Sequence, residues 1–251
     1  MAEPVLEIRG LCKQFGALRA SDNVDFDLLP GEVHALIGPN GAGKSTLIKQ
    51  IAGEIMPDVG VIRFAGRDVT GLNAVARARM GLARSFQVSS VCGEFTVLQN
   101  VMLAVQGRLR RSYRFFRPAL SDRRLTDPAR AAIARVGLSQ REGVRAGDLS
   151  HGERRALEIA LALALKPKVF LLDEPMAGMG PEGARSLTGL LDGLRHEAPI
   201  LLVEHDMEAV FALADRISVL VYGRIIATGT VAEIQNDAAV RAAYLGEEEA
   251  R

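Results

Sequence analysis

The sequence predicts an α/β protein in which a parallel core sheet covered by helices is joined to an N-terminal antiparallel β subdomain and a helical subdomain. Three observations predict it. The runs 33-VHALIG-38, 168-KVFLLD-173 and 200-ILLVE-204 are nearly continuous in apolar residues, as strands buried on both faces of a parallel sheet are. In the first third, 5-VLEIRGL-11 and 24-VDFDL-28 alternate apolar and polar side chains, and 61-VIRFAG-66 reads as a further strand closed by a turn. That is the pattern of a half-exposed antiparallel sheet. From about residue 88 to 150 the reading changes to helix: 97-VLQNVMLAV-105 and 129-ARAAIARVGL-138 are amphipathic, with Pro118 and Pro128 as punctuation.

Length and composition bound the rest. At 251 residues and 48% hydrophobic, the chain can bury a full core, and a single domain over 1–251 with subdomains is expected. A net charge of +1 argues against nucleic acid as a partner. Cys12 and Cys92 form no CxxC and read as reduced thiols of a cytosolic protein. The opening MAEPVLEIRG carries acids where a secretory signal needs basic and then apolar residues. The longest apolar stretch, 159-IALALAL-165, is closed off by Lys166 and Pro167, well short of the roughly 20 residues a membrane helix needs. Any membrane role is therefore expected to come through a partner. Seven arginines fall between Arg108 and Arg124, interleaved with Tyr113, Phe115 and Phe116; this fits either a solvated face with snorkelling stems or a docking surface for a protein or lipid.

The stretch 38-GPNGAGKST-46 follows a buried strand and opens a helix. Gly38, Gly41, Gly43, Lys44 and Ser45 satisfy GxxxxGK[ST], the phosphate-loop pattern, in the context it requires. Glycines let successive backbone N–H groups turn toward phosphate oxygens with no Cβ in the way, and the helix beginning near Lys44 aims its positive end at the same anion. The whole loop, with Pro39, Asn40, Ala42 and Thr46, is expected to cradle a nucleotide. Lys44 would hold the β and γ phosphates, and the Ser45 hydroxyl would ligate Mg²⁺. In 169-VFLLDEP-175 an apolar strand delivers two carboxylates at its carboxyl end, where open α/β sheets bind ligands. Asp173 would hold Mg²⁺, directly or through water, and Glu174 would polarise the attacking water.

Upstream, Ser150 and Glu153 in 149-LSHGERR-155 have the spacing of a capping box for the helix 154-RRALEIALALAL-165. Beside the phosphate loop and the DE pair, this stretch also resembles the signature motif of ABC ATPases, usually LSGGQ. A capped helix start is also an anion site, so the two readings agree, and Ser150 and Gly152 are candidate nucleotide contacts. The resemblance to ABC ATPases runs through the chain in order. Phe15, in 13-KQFG-16, matches the aromatic that stacks on adenine, with a hydrophobic hairpin plug as the bland alternative. Gln87, in 84-RSFQ-87, matches the glutamine that meets Mg²⁺ and water and reports to the transporter. His205, in 201-LLVEHD-206, matches the switch histidine that contacts the γ phosphate.

The resemblance implies ATP and Mg²⁺ as cofactors and a dimer, because the signature of one copy completes the ATP site of another. Within the family the chain most resembles ATP-binding subunits of the branched-chain amino acid type of bacterial importer, through 81-GLARSFQ-87, 174-EPMAGMGPEG-183, 202-LVEHDMEAVFALADRISVLVYGRIIATGT-230 and 240-VRAAYLGEE-248. That implies two polytopic permeases, a second ATP-binding subunit, usually a paralogue, a periplasmic solute-binding protein, and a peripheral position on the cytoplasmic face of the bacterial inner membrane. The region around 95-FTVLQNV-101 would help receive the permeases' loops. Three departures stand out: Gly180 replaces the asparagine or aspartate of the family, and His151 and Glu153 alter the signature. A lipopolysaccharide-export ATPase, a soluble ATPase of iron-sulfur assembly type and a phosphate-loop kinase or GTPase are the alternatives. 84-RSFQ-87 and 178-GMGPE-182 count against the first, and 149-LSHGE-153 together with His205 counts against the last.

Overall fold

In a computed structural model that describes residues 3–84, 91–109 and 118–248, the chain opens with a long hairpin. β1 (Leu6–Phe15) and β2 (Leu18–Leu28) pair antiparallel, from Leu6 opposite Leu28 to Phe15 opposite Leu18. Leu6 and Ile8 face the core as the alternation requires, and a register shift after Ile8 turns Leu11 inward as well. β3 (Val33–Ile37) is buried along its whole length and leads into α1 (Lys44–Ala52). β4 (Val59–Phe64) then returns to pair with β1, and β5 (Arg67–Asp68) completes a four-stranded sheet of order β2-β1-β4-β5. α2 (Ala74–Met80), capped by the Asn73 side chain accepting from the Ala76 N–H, leads to β6 (Leu82–Arg84).

The middle of the chain is largely helical. α3 (Val97–Leu109), α4 (Arg123–Arg135) and α5 (His151–Ala164) bury one continuous cluster that includes Val101, Ile133 and Leu157. The sequence pattern placed a boundary at Pro128, and the structure does not. α4 begins at the Asp122 cap and carries Pro128 in its interior. A proline there removes a hydrogen bond and crowds the preceding turn, a cost of about 3 kcal/mol. Burial of Leu125, Ala129, Ala132 and Ile133 on the same face offsets it.

β7 (Val169–Asp173), α6 (Pro181–Leu194) and β8 (Ile200–Val203) continue the parallel sheet, both strands buried at every residue. α7 (Met207–Leu213), β9 (Arg216–Val221), β10 (Arg224–Gly229), α8 (Val231–Asn236) and α9 (Ala238–Glu248) follow. The second sheet has the order β10-β9-β3-β8-β7-β6; all its pairs are parallel except the antiparallel β10 edge. Among the described residues no helix is long and apolar enough to cross a membrane.

A buried polar network joins β2, β3, β9 and β10. His34 is 1% exposed and stacks on Phe26 at 4.3 Å between ring centroids. Its Nδ1–H donates to the Asp27 carbonyl at 2.8 Å, so Nε2 accepts from the Ser218 hydroxyl at 2.8 Å, and Ser218 lies 2.8 Å from the Thr228 hydroxyl. Burial, assisted by the Arg216 charge, pulls the His34 pKa from 6.5 down to about 4. The folded chain therefore resists a proton that the unfolded chain takes up. Stability contributed by neutral His34 is full above about pH 6.5 and is lost as pH falls toward about 4, by roughly 3 kcal/mol in all. Urea unfolding midpoints compared across that window should fall less in His34→Gln than in the parent; parallel curves would contradict this.

Candidate nucleotide site

The register of the parallel strands assembles the site. Leu36 of β3 is level with Val203 of β8, and Val203 is level with Asp173 of β7. The chain therefore leaves all three strands on one edge, at Gly38, Glu174 and Glu204, which is where open α/β sheets hold ligands.

The phosphate loop, residues 38–46, is shaped by close backbone approach. A Cβ on Gly38 would lie 2.0 Å from the Leu220 carbonyl oxygen, and one on Gly43 would lie 2.2 Å from that of Ala20. Gly38, Gly41 and Gly43 all have positive φ, at 152°, 79° and 108°. The Gly223 N–H, in the β9–β10 turn, donates to the Ala42 carbonyl at 2.8 Å and pins the loop from the other side. Lys44 is 8% exposed, and its Nζ donates to the Gly38 and Pro39 carbonyls at 2.6 and 2.9 Å, folded over the loop it belongs to. Asn40, Gly41 and Ser45 are exposed, Pro39 and Thr46 half-buried, and Ala42 buried. The first N–H groups of α1 have no partner within the helix, so Lys44, Ser45 and Thr46 present donors at its positive end.

Asp173 closes β7 at 1% exposure. Burial pushes its pKa up, opposed by the Arg84 guanidinium at 3.4 Å and reinforced by Glu174. Glu174 follows at φ 48°. His205 Nδ1 stands 3.8 Å from Glu174 Oε1, so two residues 31 positions apart meet at the strand ends. Glu204 is buried between them: its carboxylate accepts the Met176 N–H at 2.8 Å and the His205 N–H at 3.1 Å. Gln87 lies outside the described residues.

A divalent cation fits this donor set. No cluster of three or more acidic, His or Cys side chains is present among the described residues, and Mg²⁺ bound with a nucleotide needs only one or two protein oxygens beside the phosphates. Asp173, a carboxylate burdened by burial, and Ser45, at the start of the helix that packs on β7, are such oxygens.

The signature region forms the capping box its spacing implied. Ser150 is the N-cap of α5; its Oγ accepts the Glu153 N–H at 3.3 Å, and Glu153 Oε2 accepts the Ser150 N–H and Oγ–H, each at 2.9 Å. These bonds, with Arg141 at 2.8 Å, hold the Glu153 carboxyl below its usual range. The Glu153 substitution thus keeps the helix start closed on itself. Gly152 is half-buried beside Met179. Phe15 is 46% exposed, which removes the hydrophobic-plug reading; Lys13 Nζ lies 5.4 Å from its ring centroid. Its strand partner Leu18 precedes Ala20, the residue against Gly43, by two positions, about 7 Å along the strand. Gly180 is the N-cap of α6 without a side-chain bond, and nothing lies within 4 Å of an added Cβ there.

Sequence reasoning missed three residues here. Arg84 pairs with Asp173 and Glu54, Glu204 ties the turns after β7 and β8 together, and Arg155 binds the carbonyls around Glu174. Nothing in composition separates these arginines from solvated ones; Glu204, a lone acid closing an apolar strand, carried a faint signal.

Fold and site together define a phosphate-loop NTPase of the ATP-binding cassette class. Residues 21–177 match the family described as ABC transporter, and residues 224–250 match the family described as branched-chain amino acid ATP-binding cassette transporter. Over 256 residues the chain is 38% identical to the high-affinity branched-chain amino acid transport ATP-binding protein LivG of Escherichia coli K12, covering 98% of this chain and 100% of that one. It is 36% identical over 254 residues to BraF of Pseudomonas aeruginosa, of the same description, with coverage of 98% and 100%. The crystal structure of the ADP conformation of MJ1267, an ATP-binding cassette of an ABC transporter, superposes with a TM-score of 0.86 at 29% identity, covering 98% of this chain and 100% of that one. The chain belongs to the ABC transporter family, as one of its ATP-binding cassettes, and is an ATPase.

Removing the Lys44 ammonium should weaken nucleotide binding by roughly 10- to 100-fold, the worth of a charged hydrogen bond to phosphate. Titration of Lys44→Ala with a fluorescent ATP analogue, with circular dichroism to confirm folding, measures it; a folded variant of parental affinity would remove Lys44 from the site.

Proposed function

We propose that this chain is a single ATP-binding domain acting as the ATP-hydrolysing motor subunit of a bacterial importer for branched-chain amino acids or related small solutes. The observation that carries the reading is the meeting of Glu174 and His205, 3.8 Å apart, at the same sheet edge as the phosphate loop. The 38% identity to LivG over nearly the whole chain supports the solute class.

In this reading Phe15 stacks on the adenine while loop N–H groups and Lys44 hold the phosphates. Lys44 exchanges its two loop carbonyls for phosphate oxygens. Mg²⁺, held by Ser45, Asp173 and the nucleotide's own oxygens, with Gln87 as a further ligand, would neutralise charge on the β and γ phosphates. Glu174 accepts a proton from the water that attacks the γ phosphorus, as the bond to the ADP oxygen breaks. The His205 ring, 62% exposed beside that carboxylate, donates to a γ-phosphate oxygen. Ser150 and Gly152 close over the nucleotide of a second subunit, a paralogue in this subfamily, whose own signature closes over this one, so two chains enclose two ATP molecules and open after hydrolysis.

Permease loops dock on the helical region, where Phe95, Gln99, Met102, Leu103, Gln106, Ala119 and Leu120 line an apolar cleft of about 190 Å³. Leu103 and Leu120 are largely exposed there, which favours a partner over solvent. Residues 110–117 of the arginine-rich stretch lie outside the described residues. Docking on two polytopic permeases, served by a periplasmic binding protein, places the chain peripherally on the cytoplasmic face of the inner membrane.

Glu174→Gln keeps the shape of the side chain and removes the base. It should trap an ATP-bound dimer on size exclusion and lower turnover by roughly 10²- to 10⁴-fold. Hydrolysis at the parental rate would exclude Glu174 from the mechanism.

A further inference from the structure

The turn that carries Glu174 is held by two side chains of α5 that bond its backbone carbonyls. Glu174 has a φ of 48°, a left-handed conformation that is costly for a residue with a Cβ. Such a conformation persists only where its surroundings determine it. On α5, Arg155 Nη2 donates to the Asp173 carbonyl at 3.2 Å and the Glu174 carbonyl at 2.6 Å, and Nε donates to the Pro175 carbonyl at 3.0 Å. Glu158 takes Nη1 at 2.6 Å and fixes the plane of the guanidinium. One turn earlier, His151 Nε2 donates to the Ala177 carbonyl at 3.2 Å. Residues four apart share a helix face, so a single face of α5 binds four of the five carbonyls of residues 173–177.

The contact is fitted on both sides. A Cβ on Gly178 would lie 3.0 Å from His151 Nε2, and Gly178 has a φ of 73°, a backbone conformation that favours glycine. The usual LSGGQ pattern places glycine at position 151, which has no side chain to make this bond. The departure at His151 is therefore an added link between α5 and the turn.

We infer that His151 and Arg155 are positioning residues that tie the Ser150 end of α5 to the backbone setting Glu174. The inference rests on the reading of Glu174 as general base and of Ser150 as the contact to a second subunit's nucleotide. Because one rigid helix carries both, closure of the partner's ATP onto Ser150 and the aim of the chain's own carboxylate are one mechanical event. The coupling runs through backbone carbonyls and leaves the phosphate loop untouched.

The test is a double-mutant cycle in single-turnover ATP hydrolysis by the full-length chain with Mg-ATP. Arg155→Lys keeps the charge beside Glu158 and loses the fork that spans three carbonyls; His151→Ala alters an exposed side chain. Arg155→Lys should slow hydrolysis at least about tenfold, the scale expected when a catalytic group is misplaced. His151→Ala should slow it about threefold, with ATP Kd within about twofold of the parent for both. Combined with Glu174→Gln, each should add less than about twofold, since residues acting through one group are not additive. A merely structural role would lower both backgrounds alike. Additive losses, or single variants of parental rate, would overturn the inference while leaving Glu174 in place. A parental rate for Glu174→Gln alone would overturn the underlying reading and the inference with it.

Discussion

Two glycines of the phosphate loop leave no room for a side chain, and the arrangement of the molecule follows from that contact. At Gly38 an added Cβ would be 2.0 Å from the Leu220 carbonyl, and at Gly43 it would be 2.2 Å from the Ala20 carbonyl. A misfit of this size moves backbone, because close-packed interiors cannot absorb it. The loop is thereby wedged between β9 of the parallel sheet and β2 of the antiparallel sheet. The two sheets meet at the anion site, which brings the exposed Phe15 hairpin within reach of whatever the loop holds.

The remaining chemistry is delivered by strand register. β3, β8 and β7 end level with one another, so a carboxylate one residue past β7 and a histidine two residues past β8 come together, with the Glu174 N–H donating to the Val203 carbonyl at 2.8 Å. Glu204, buried and doubly bonded to backbone N–H groups, locks the two turns at a fixed spacing. The charge pattern is equally economical. Asp173 is burdened by burial and gains from a cation, whereas Glu153 is satisfied by Ser150 and Arg141. Two acids of the chain, one at the phosphate-loop site and one in the signature helix, therefore have opposite electrostatic circumstances, set by what surrounds them.

Much of this was legible in the residues. β3, β7 and β8 announced themselves because strands covered on both faces are apolar throughout, and the phosphate loop was readable because its glycines answer to a backbone requirement. β10 was not read: its residues alternate between half-buried and exposed, and its pairing with β9 makes it an edge. The limits of α4 were misjudged because Pro128 is a local stop signal that tertiary burial overrides. His205 was found only by resemblance, since a histidine after a strand has no distinguishing local pattern. Arg84 and Arg155 were missed for a related reason. Their partners at the site are Asp173, 89 residues from Arg84, and three backbone carbonyls 18 to 20 residues from Arg155, and contacts at such separations leave no trace in periodicity or spacing. The substituted signature was legible in part: the spacing of Ser150 and Glu153 announced the cap that the structure forms, whereas the bond from His151 to the Ala177 carbonyl, which glycine cannot make, left no local pattern.

The most direct measurement is affinity purification of the chain, at native expression, from gently solubilised membranes, with mass spectrometry of what accompanies it. Two polytopic permeases and a second ATP-binding subunit should accompany it, leading to a binding protein whose solute can then be identified. Recovery with soluble proteins alone would contradict the transport role and leave the ATPase chemistry standing.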